Sequence, residues 1–127
     1  MPKRVLPQPT PAELEILQLL WRHGPSTVRE VQERLERDVG YTTVLKLLQI
    51  MTQKGLTTRN EMARSHVYQA EAAEDQTKGR LVSDLLDRAF EGSATRLVMQ
   101  ALSAKPATPD ELRRIRELLD QLEEETP

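Results

Sequence analysis

The segment between Gly40 and Gly55 constrains the fold of this chain more than any other stretch of its sequence. Its apolar residues recur with the i, i+3, i+4, i+7 spacing of a helix that packs one side against a core. These residues are Val44, Leu47, Leu48 and Met51. A second face of the same helix carries hydrogen-bonding side chains and no acidic residue: Thr42, Lys46, Gln49 and Gln53. Such a face suits contact with DNA, but it is also typical of a solvated helix surface, so the flanking sequence has to distinguish the two interpretations.

Two further helices precede this segment, and capping residues mark where each begins. Residues 10–13, Thr-Pro-Ala-Glu, combine an N-cap threonine, a proline at the first helical position and a glutamate three residues after the cap. Thr27 and Glu30 repeat the cap-plus-three pattern, which predicts a second helix that runs to about Asp38. A glycine-containing turn then leads into the segment described above. Two helices joined by a tight turn form a helix-turn-helix, whose second member enters the major groove.

Two short β-prone runs follow this helix-turn-helix. Residues 56–59 and 66–70 flank a polar stretch, residues 60–65, and this arrangement predicts a β-hairpin. A hairpin in this position is a wing, and we expect Arg64 at its tip to contact a phosphate or a narrow minor groove. His66 has no partner ligand near it in the sequence, so we expect it to face solvent or DNA rather than to bind a metal.

The chain changes to longer amphipathic helices from Ala72 onward. The cap-plus-three pattern returns at Thr108, and the apolar residues after it keep a 3-4-3 spacing like a coiled-coil seam. The apolar residues that we expect to face a partner are Leu81, Leu85, Leu86, Phe90, Leu97, Leu112, Ile115, Leu119 and Leu122. Short amphipathic helices are marginally stable alone, so we expect this part of the chain to pair with an identical copy.

Together these elements predict a mostly α-helical fold with a small β wing. We assign residues 1–9 to a flexible N-terminal arm, residues 10–71 to a winged-helix DNA-binding domain, and residues 72–127 to a three-helix dimerisation arm. The net charge of −2 is unevenly divided, with +3 on residues 1–69 and −5 on residues 70–127. The first part therefore suits a polyanionic partner and the second does not.

The composition excludes several kinds of active site. The sequence has no cysteine and only two histidines, which removes disulfides, thiolate metal sites and cysteine nucleophiles. It also lacks a base–nucleophile pair and a glycine-rich phosphate loop, so we expect no enzymatic activity, no metal and no cofactor. The apolar runs fall short of the about 18 residues that span a membrane, and the N-terminus lacks a signal-peptide core. We therefore expect a cytoplasmic protein without membrane insertion.

Six runs follow one another along the chain: Leu14-x-x-Leu17-x-x-Leu20-Trp21, Tyr41-Thr42-Thr43-Val44, Leu47-Leu48, Lys54-Gly55-Leu56, Arg64-Ser65-His66-Val67-Tyr68 and residues 85–93. Taken together, these runs resemble the BlaI/MecI/CopY family of bacterial penicillinase and copper-response repressors. The resemblance extends from about residue 10 to about residue 122. It implies a winged helix that binds a palindromic operator as a homodimer and blocks transcription.

The resemblance also implies a route of release. In several members of this family, a membrane-bound metalloprotease sensor leads to cleavage of the repressor inside its C-terminal arm, typically at an Asn-Phe bond. The matching position here reads Gln100-Ala101, which leaves the cleaved bond and the protease route open. Copper-responsive members carry a C-terminal cysteine cluster, and its absence here excludes copper sensing by that route. The wing of the family often contains a glycine where this chain has Ala63.

For such a repressor we expect DNA contacts from Thr42, Thr43, Lys46, Gln49, Gln53, Lys54, Arg64 and His66. Thr42 and Thr43 lie at a helix start, where free N–H groups favour a phosphate. Lys46 can donate to guanine and Gln49 can pair with adenine, whereas Gln53 and Lys54 are expected to touch the backbone.

Two other functions compete with repression. A winged-helix protein-interaction adaptor would be expected to carry apolar or aromatic anchor residues on the polar face of the helix between Gly40 and Gly55. None is present on that face. A ligand-gated regulator would bind a small molecule between the arm and the winged helix. An aromatic content of 3% leaves little to line such a pocket.

Overall fold

The structure is a computed structural model, and it describes residues 8–61 and 64–126. Its elements in chain order are α1 (Pro11–His23), β1 (Ser26–Thr27), α2 (Val28–Arg34), α3 (Tyr41–Lys54), β2 (Thr57–Asn60), β3 (Val67–Ala70), α4 (Glu74–Ala89), α5 (Ala94–Ala104) and α6 (Pro109–Glu125). The three strands form one antiparallel sheet in the order β1-β3-β2. The fold is therefore mostly α-helical with a small β wing, as the sequence predicts. Most of the expected N-terminal arm, residues 1–7, and Ala63 of the wing lie outside the described residues.

Three helices begin with the capping boxes that the sequence predicts. At α1, the Glu13 backbone N–H donates to Thr10 Oγ1 at 3.2 Å, and the Thr10 N–H donates to Glu13 Oε1 at 2.9 Å. The same reciprocal pair is present at the starts of α2 and α6. An N-cap threonine stabilises a helix by about 1 kcal/mol, so these caps fix where the helices begin.

The second helix is shorter than predicted, because it ends at Arg34 instead of near Asp38. Leu35 leaves the helix with an extended backbone (φ −68°, ψ 132°), and its side chain is buried in the core. The Gln32 side-chain amide donates to the Val39 carbonyl at 3.2 Å and closes the turn. Because Leu35 is buried with an extended backbone, the chain turns towards α3 before Asp38, where the sequence pattern places the end of the helix.

The hairpin is formed by β2 and β3, with Thr57 opposite Ala70 and Asn60 opposite Val67. The sequence also predicts a short extended piece or cap at residues 26–28, and the structure contains both, with the strand limited to Ser26–Thr27. Thr27 caps α2, while β1 pairs with β3 through Ser26 opposite Tyr68. The wing is thereby attached to the helix-turn-helix through backbone hydrogen bonds.

The hydrophobic core lies among α1, α2, α3 and β3. It consists of Ile16, Leu17, Leu20, Val28, Val31, Leu35, Val44, Leu48, Met51 and Tyr68. Trp21 is only partly buried, and its indole N–H donates to the Ala72 carbonyl at 3.0 Å. Leu47 packs partly buried against this core. The apolar stripe of α3 thus packs where its periodicity predicts, and the core holds α3 in a fixed orientation.

The chain divides into two compact units, Met1–Leu81 and Val82–Pro127. The first unit includes the start of α4, where Thr77 is buried, so this division falls ten residues after the boundary drawn from the sequence. In the second unit, neither α5 nor α6 has a buried residue. None of the helices described is both long and apolar enough to cross a membrane.

Candidate nucleic-acid interface

Helix α3 separates its side chains into a buried face and an exposed face. Val44, Leu48 and Met51 have no measurable exposure. The polar residues predicted to contact DNA on this helix are all exposed: Thr42, Thr43, Lys46, Gln49 and Gln53. Because an α-helix repeats every 3.6 residues, these five side chains share one outward surface. That surface has hydroxyl, amide and ammonium groups that can donate to base edges and phosphates.

The start of α3 is open to an anion. Gly40 occupies the N-cap position and supplies no side-chain hydrogen bond, and the first turn contains no acidic residue. The first N–H groups of a helix point outward and carry the positive end of the helix dipole. The exposed hydroxyls of Thr42 and Thr43 lie in the same turn. This end of α3 therefore has the chemistry of a phosphate contact.

The wing carries two further predicted residues. Arg64 and His66 are exposed in the segment that leads into β3. Within the described residues, the Arg64 guanidinium forms no ion pair, whereas Arg59 on β2 pairs with Glu61. Arg64 is thus the wing arginine whose charge is free to meet a phosphate. It lies on a different element from the α3 surface.

Lys54 differs from the other predicted residues. Its Nζ donates to both carboxylate oxygens of Glu13, at 2.8 and 3.0 Å, and Glu13 is only 2% exposed. The ammonium is therefore directed towards α1, away from the set that shares the exposed face of α3. The sequence gives Glu13 a role in capping α1 but contains no local signal for this partner 41 positions away.

Sequence reasoning also missed a contact between the two helices of the helix-turn-helix. The Arg29 guanidinium carbon lies over the Tyr41 ring, 5.7 Å from its centroid. Both residues are exposed, with Tyr41 at 44%. Arg29 is the second residue of α2 and Tyr41 is the first of α3. Their contact depends on the path of the turn between the helices, which spacing along one helix does not reveal.

The residues predicted for dimerisation and cleavage lie in the last three helices. Leu85, Leu119 and Leu122 are between 46% and 52% exposed. The others are partly buried: Leu81, Leu86, Phe90, Leu97, Leu112 and Ile115. Gln100 and Ala101 are exposed within α5. Among the described residues, no three histidine, cysteine or acidic side chains are grouped so as to hold a metal ion.

A winged helix whose second helix-turn-helix helix exposes an acid-free polar surface is the arrangement typical of DNA-binding transcriptional regulators. The family model of the penicillinase repressor matches residues 9–121. The chain is 33% identical over 114 residues to the transcriptional regulator BlaI of Mycobacterium tuberculosis, covering 87% of this chain and 82% of the relative. It is 22% identical over 118 residues to the penicillinase repressor of Bacillus licheniformis, covering 91% and 92%. The chain belongs to the penicillinase repressor family, and it is a transcriptional repressor rather than an enzyme.

Similar solved structures include those of two proteins from bacilli. One is monomeric Bacillus licheniformis BlaI in complex with the blaP half-operator, with a TM-score of 0.49 and 26% identity, covering 56% of this chain and 89% of that one. Another is YusO of Bacillus subtilis, with a TM-score of 0.51 and 24% identity, covering 91% and 75%. The second likeness agrees with the fold described above.

Proposed function

We propose that this chain is a sequence-specific repressor that binds a palindromic operator as a homodimer in the cytoplasm. The observation that carries the proposal is the division of α3 into an apolar face that packs against the core and an exposed face of five polar residues without an acid. The core fixes the orientation of α3, so the exposed face is presented as a rigid surface. Rigid presentation on a helix is what base reading in the major groove requires.

The proposed roles on α3 follow from side-chain chemistry. Lys46 donates to guanine O6 or N7, and Gln49 pairs with adenine or donates to another base edge. Thr42 and Thr43 contact a phosphate together with the free N–H groups at the helix start. Gln53, one turn beyond Gln49, contacts the backbone.

The wing contributes charge, and Lys54 contributes mainly stability. Arg64 meets a phosphate or a narrow minor groove, with His66 nearby, directly before β3. Lys54 acts through Glu13, because its ammonium already binds both oxygens of a buried carboxylate. Its contribution to DNA binding is therefore indirect, through the position of the end of α3.

Homodimerisation is supported by the apolar side chains that the second unit leaves exposed. Val82, Val98 and Met99 are 46%, 48% and 66% exposed, and α6 adds Leu118, Leu119 and Leu122 at about half exposure. Apolar surface of this extent is costly in water and marks an interaction site. A second copy of the same helices would cover it. Two winged helices joined in this way would read half-sites about one helical turn apart, roughly 10 bp, or a multiple of it.

Release by proteolysis is the regulatory part of the proposal, with a membrane-bound metalloprotease sensor as the upstream partner. The Gln100–Ala101 bond lies inside α5, where both residues are exposed. Proteases bind extended segments, so cleavage there requires local unfolding of α5, for which its lack of buried residues is favourable. A cut at this bond would separate α6 from the winged helix. A chain ending at Gln100 should then bind a palindrome no better than a single half-site.

The ligand-gated alternative has a groove available to it in the first unit. The groove runs beside β2, and its lining includes Leu17, Leu56, Thr58, Thr77 and Arg80. Among the described residues that line this groove, none has an aromatic side chain to cover an organic ligand, which favours repression without a small-molecule effector. The adaptor alternative would need apolar anchors on the exposed face of α3, where the five residues are polar.

The test is selection of genomic fragments. The purified full-length chain is incubated with sheared DNA from its source genome, and the bound fragments are sequenced. Enrichment of a short palindrome upstream of a gene supports the proposal, and a neighbouring protease-sensor gene supports the route of release. Recovery of fragments without any common sequence would contradict specific repression.

A further inference from the structure

The contact between Arg29 and Tyr41 joins the starts of α2 and α3. The guanidinium carbon lies over the ring at 5.7 Å from its centroid, although the acidic Glu33 lies one helical turn along from Arg29. Cation–π contacts of this kind hold an arginine in a defined position without neutralising its charge. The structure therefore contains an exposed, oriented positive charge beside the first turn of α3, the helix proposed to read DNA.

Neighbouring arginines make a useful comparison. Arg34 pairs with Glu30 at 3.6 Å, and Arg37 pairs with Glu15 at 2.9 Å. Within the residues that the structure describes, Arg29 forms neither an ion pair nor a hydrogen bond. Among these three arginines, Arg29 alone has an uncompensated charge, and it is the one next to the start of α3.

We infer that Arg29 and Tyr41 form a phosphate-binding pair of the DNA interface, in which the Tyr41 ring positions the guanidinium and Arg29 contacts the phosphate. This inference rests on the proposed function. A guanidinium over a ring keeps its in-plane N–H groups available for bidentate binding of a phosphate, which is the geometry that arginine favours. Tyr41 is accordingly a positioning residue.

The docking geometry of a helix-turn-helix explains why the ligand is a phosphate and not a base. The first helix of such a motif crosses the DNA backbone, while the second enters the groove. A side chain of α2 that touches the first residue of α3 lies on the backbone side of this arrangement. The N–H groups at the acid-free start of α3 add to the same positive region.

The experiment measures binding of the full-length chain to a fluorescent duplex of arbitrary sequence, about three helical turns long, as salt is raised from roughly 50 to 200 mM. Arg29→Gln should weaken binding roughly five- to tenfold and reduce the salt slope by about 1. The matched control is Arg113→Gln, which removes the same charge from α6 and should leave the slope unchanged. Thermal denaturation of each variant shows that it is folded.

The Tyr41 variants test positioning. Tyr41→Phe keeps the ring and should bind like the parent, whereas Tyr41→Leu should weaken binding about two- to fivefold. The double variant with Arg29→Gln and Tyr41→Leu should bind no more weakly than Arg29→Gln alone, because the ring acts through the arginine. Additive losses, or equal losses in Tyr41→Phe and Tyr41→Leu, would overturn the assignment of Tyr41.

The outcomes also separate this inference from the function on which it rests. A parent chain that shows no salt-dependent binding to any duplex would refute both the DNA-binding function and the phosphate-binding pair. A parent chain that binds with a steep salt slope, while Arg29→Gln and Arg113→Gln behave alike, would refute the phosphate-binding pair alone.

Discussion

The Lys54 ammonium lies 2.8 and 3.0 Å from the two carboxylate oxygens of Glu13, and this pair joins the end of α3 to the start of α1. Glu13 is 2% exposed, so its charge depends on this partner and on the Thr10 N–H that it accepts at 2.9 Å. One carboxylate thus completes a helix cap and anchors the helix proposed to read DNA. A buried charge with its hydrogen bonds satisfied is tolerated, whereas removal of its partner is costly.

Replacing Lys54 should therefore destabilise the winged helix. We expect Lys54→Met to lower the free energy of unfolding by about 1–3 kcal/mol, less than for a fully buried pair because solvent reaches part of Lys54. The measurement is urea unfolding of the full-length chain. Gln53→Ala, on the exposed neighbour, should change stability little. The double variant Glu13→Gln with Lys54→Met should recover part of the lost free energy of unfolding, because the buried charge is removed together with its partner. If nothing is recovered, loss of the ion pair is not the cause of the destabilisation.

Acid should weaken the same contact. Burial raises the pKa of Glu13, but the Lys54 hydrogen bond and the Thr10 N–H outweigh this effect, so the pKa lies below its ordinary value of 4.5. A group whose pKa is lower in the folded than in the unfolded chain stabilises the fold above the unfolded value and loses that effect as pH falls through the folded value. We expect the free energy of unfolding to fall below pH 4.5 more steeply in the parent than in Glu13→Gln. Parallel curves for the two proteins would contradict this role of Glu13.

The helices could be predicted largely from local signals. The three capping boxes lie within four residues each, and the apolar stripe of α3 within eight, so their spacing alone identifies them. The end of α2 could not be predicted in the same way. Leu35 leaves the helix to fill the core, and that preference depends on neighbours distant in sequence.

The same distinction between local signals and long-range contacts applies to the candidate site. The exposed face of α3 follows from helical periodicity, whereas the contacts of Lys54 with Glu13 and of Arg29 with Tyr41 require separate helices to be in place. Sequence reasoning assigns Lys54 to the DNA backbone and Glu13 to a helix cap, and it does not reveal the contact of Arg29 with Tyr41. Long-range pairing therefore changes the role of individual charges without changing the predicted fold.

Lys46 and Arg64 should differ in what they contribute to binding. Lys46→Ala should cost about 1–3 kcal/mol on the selected operator and relax the preference at one base position. Arg64→Ala should weaken all sequences similarly and lower the salt slope by about 1, because a phosphate contact carries no sequence information. Titration of operator and random duplexes with each variant measures both effects. If both variants lost equal affinity for the operator and for the random duplex, α3 would not be the helix that reads the base sequence.

The exposed apolar side chains of α6 should determine the oligomeric state. Leu119 is 52% exposed in the single chain and follows Leu112 and Ile115 along the helix. Leu119→Glu would bury an unpaired charge in the proposed dimer interface, so we expect the dimer to dissociate at least tenfold more readily. Sedimentation at micromolar concentration measures this, with Glu124→Gln as a control on an exposed acidic position of the same helix.

A monomeric mass for the parent chain would contradict the dimer. A dimer unaffected by Leu119→Glu would show that α6 does not form the interface. Because two linked winged helices gain affinity for a palindrome from their connection, the Leu119→Glu chain should also lose its preference for a palindrome over a single half-site.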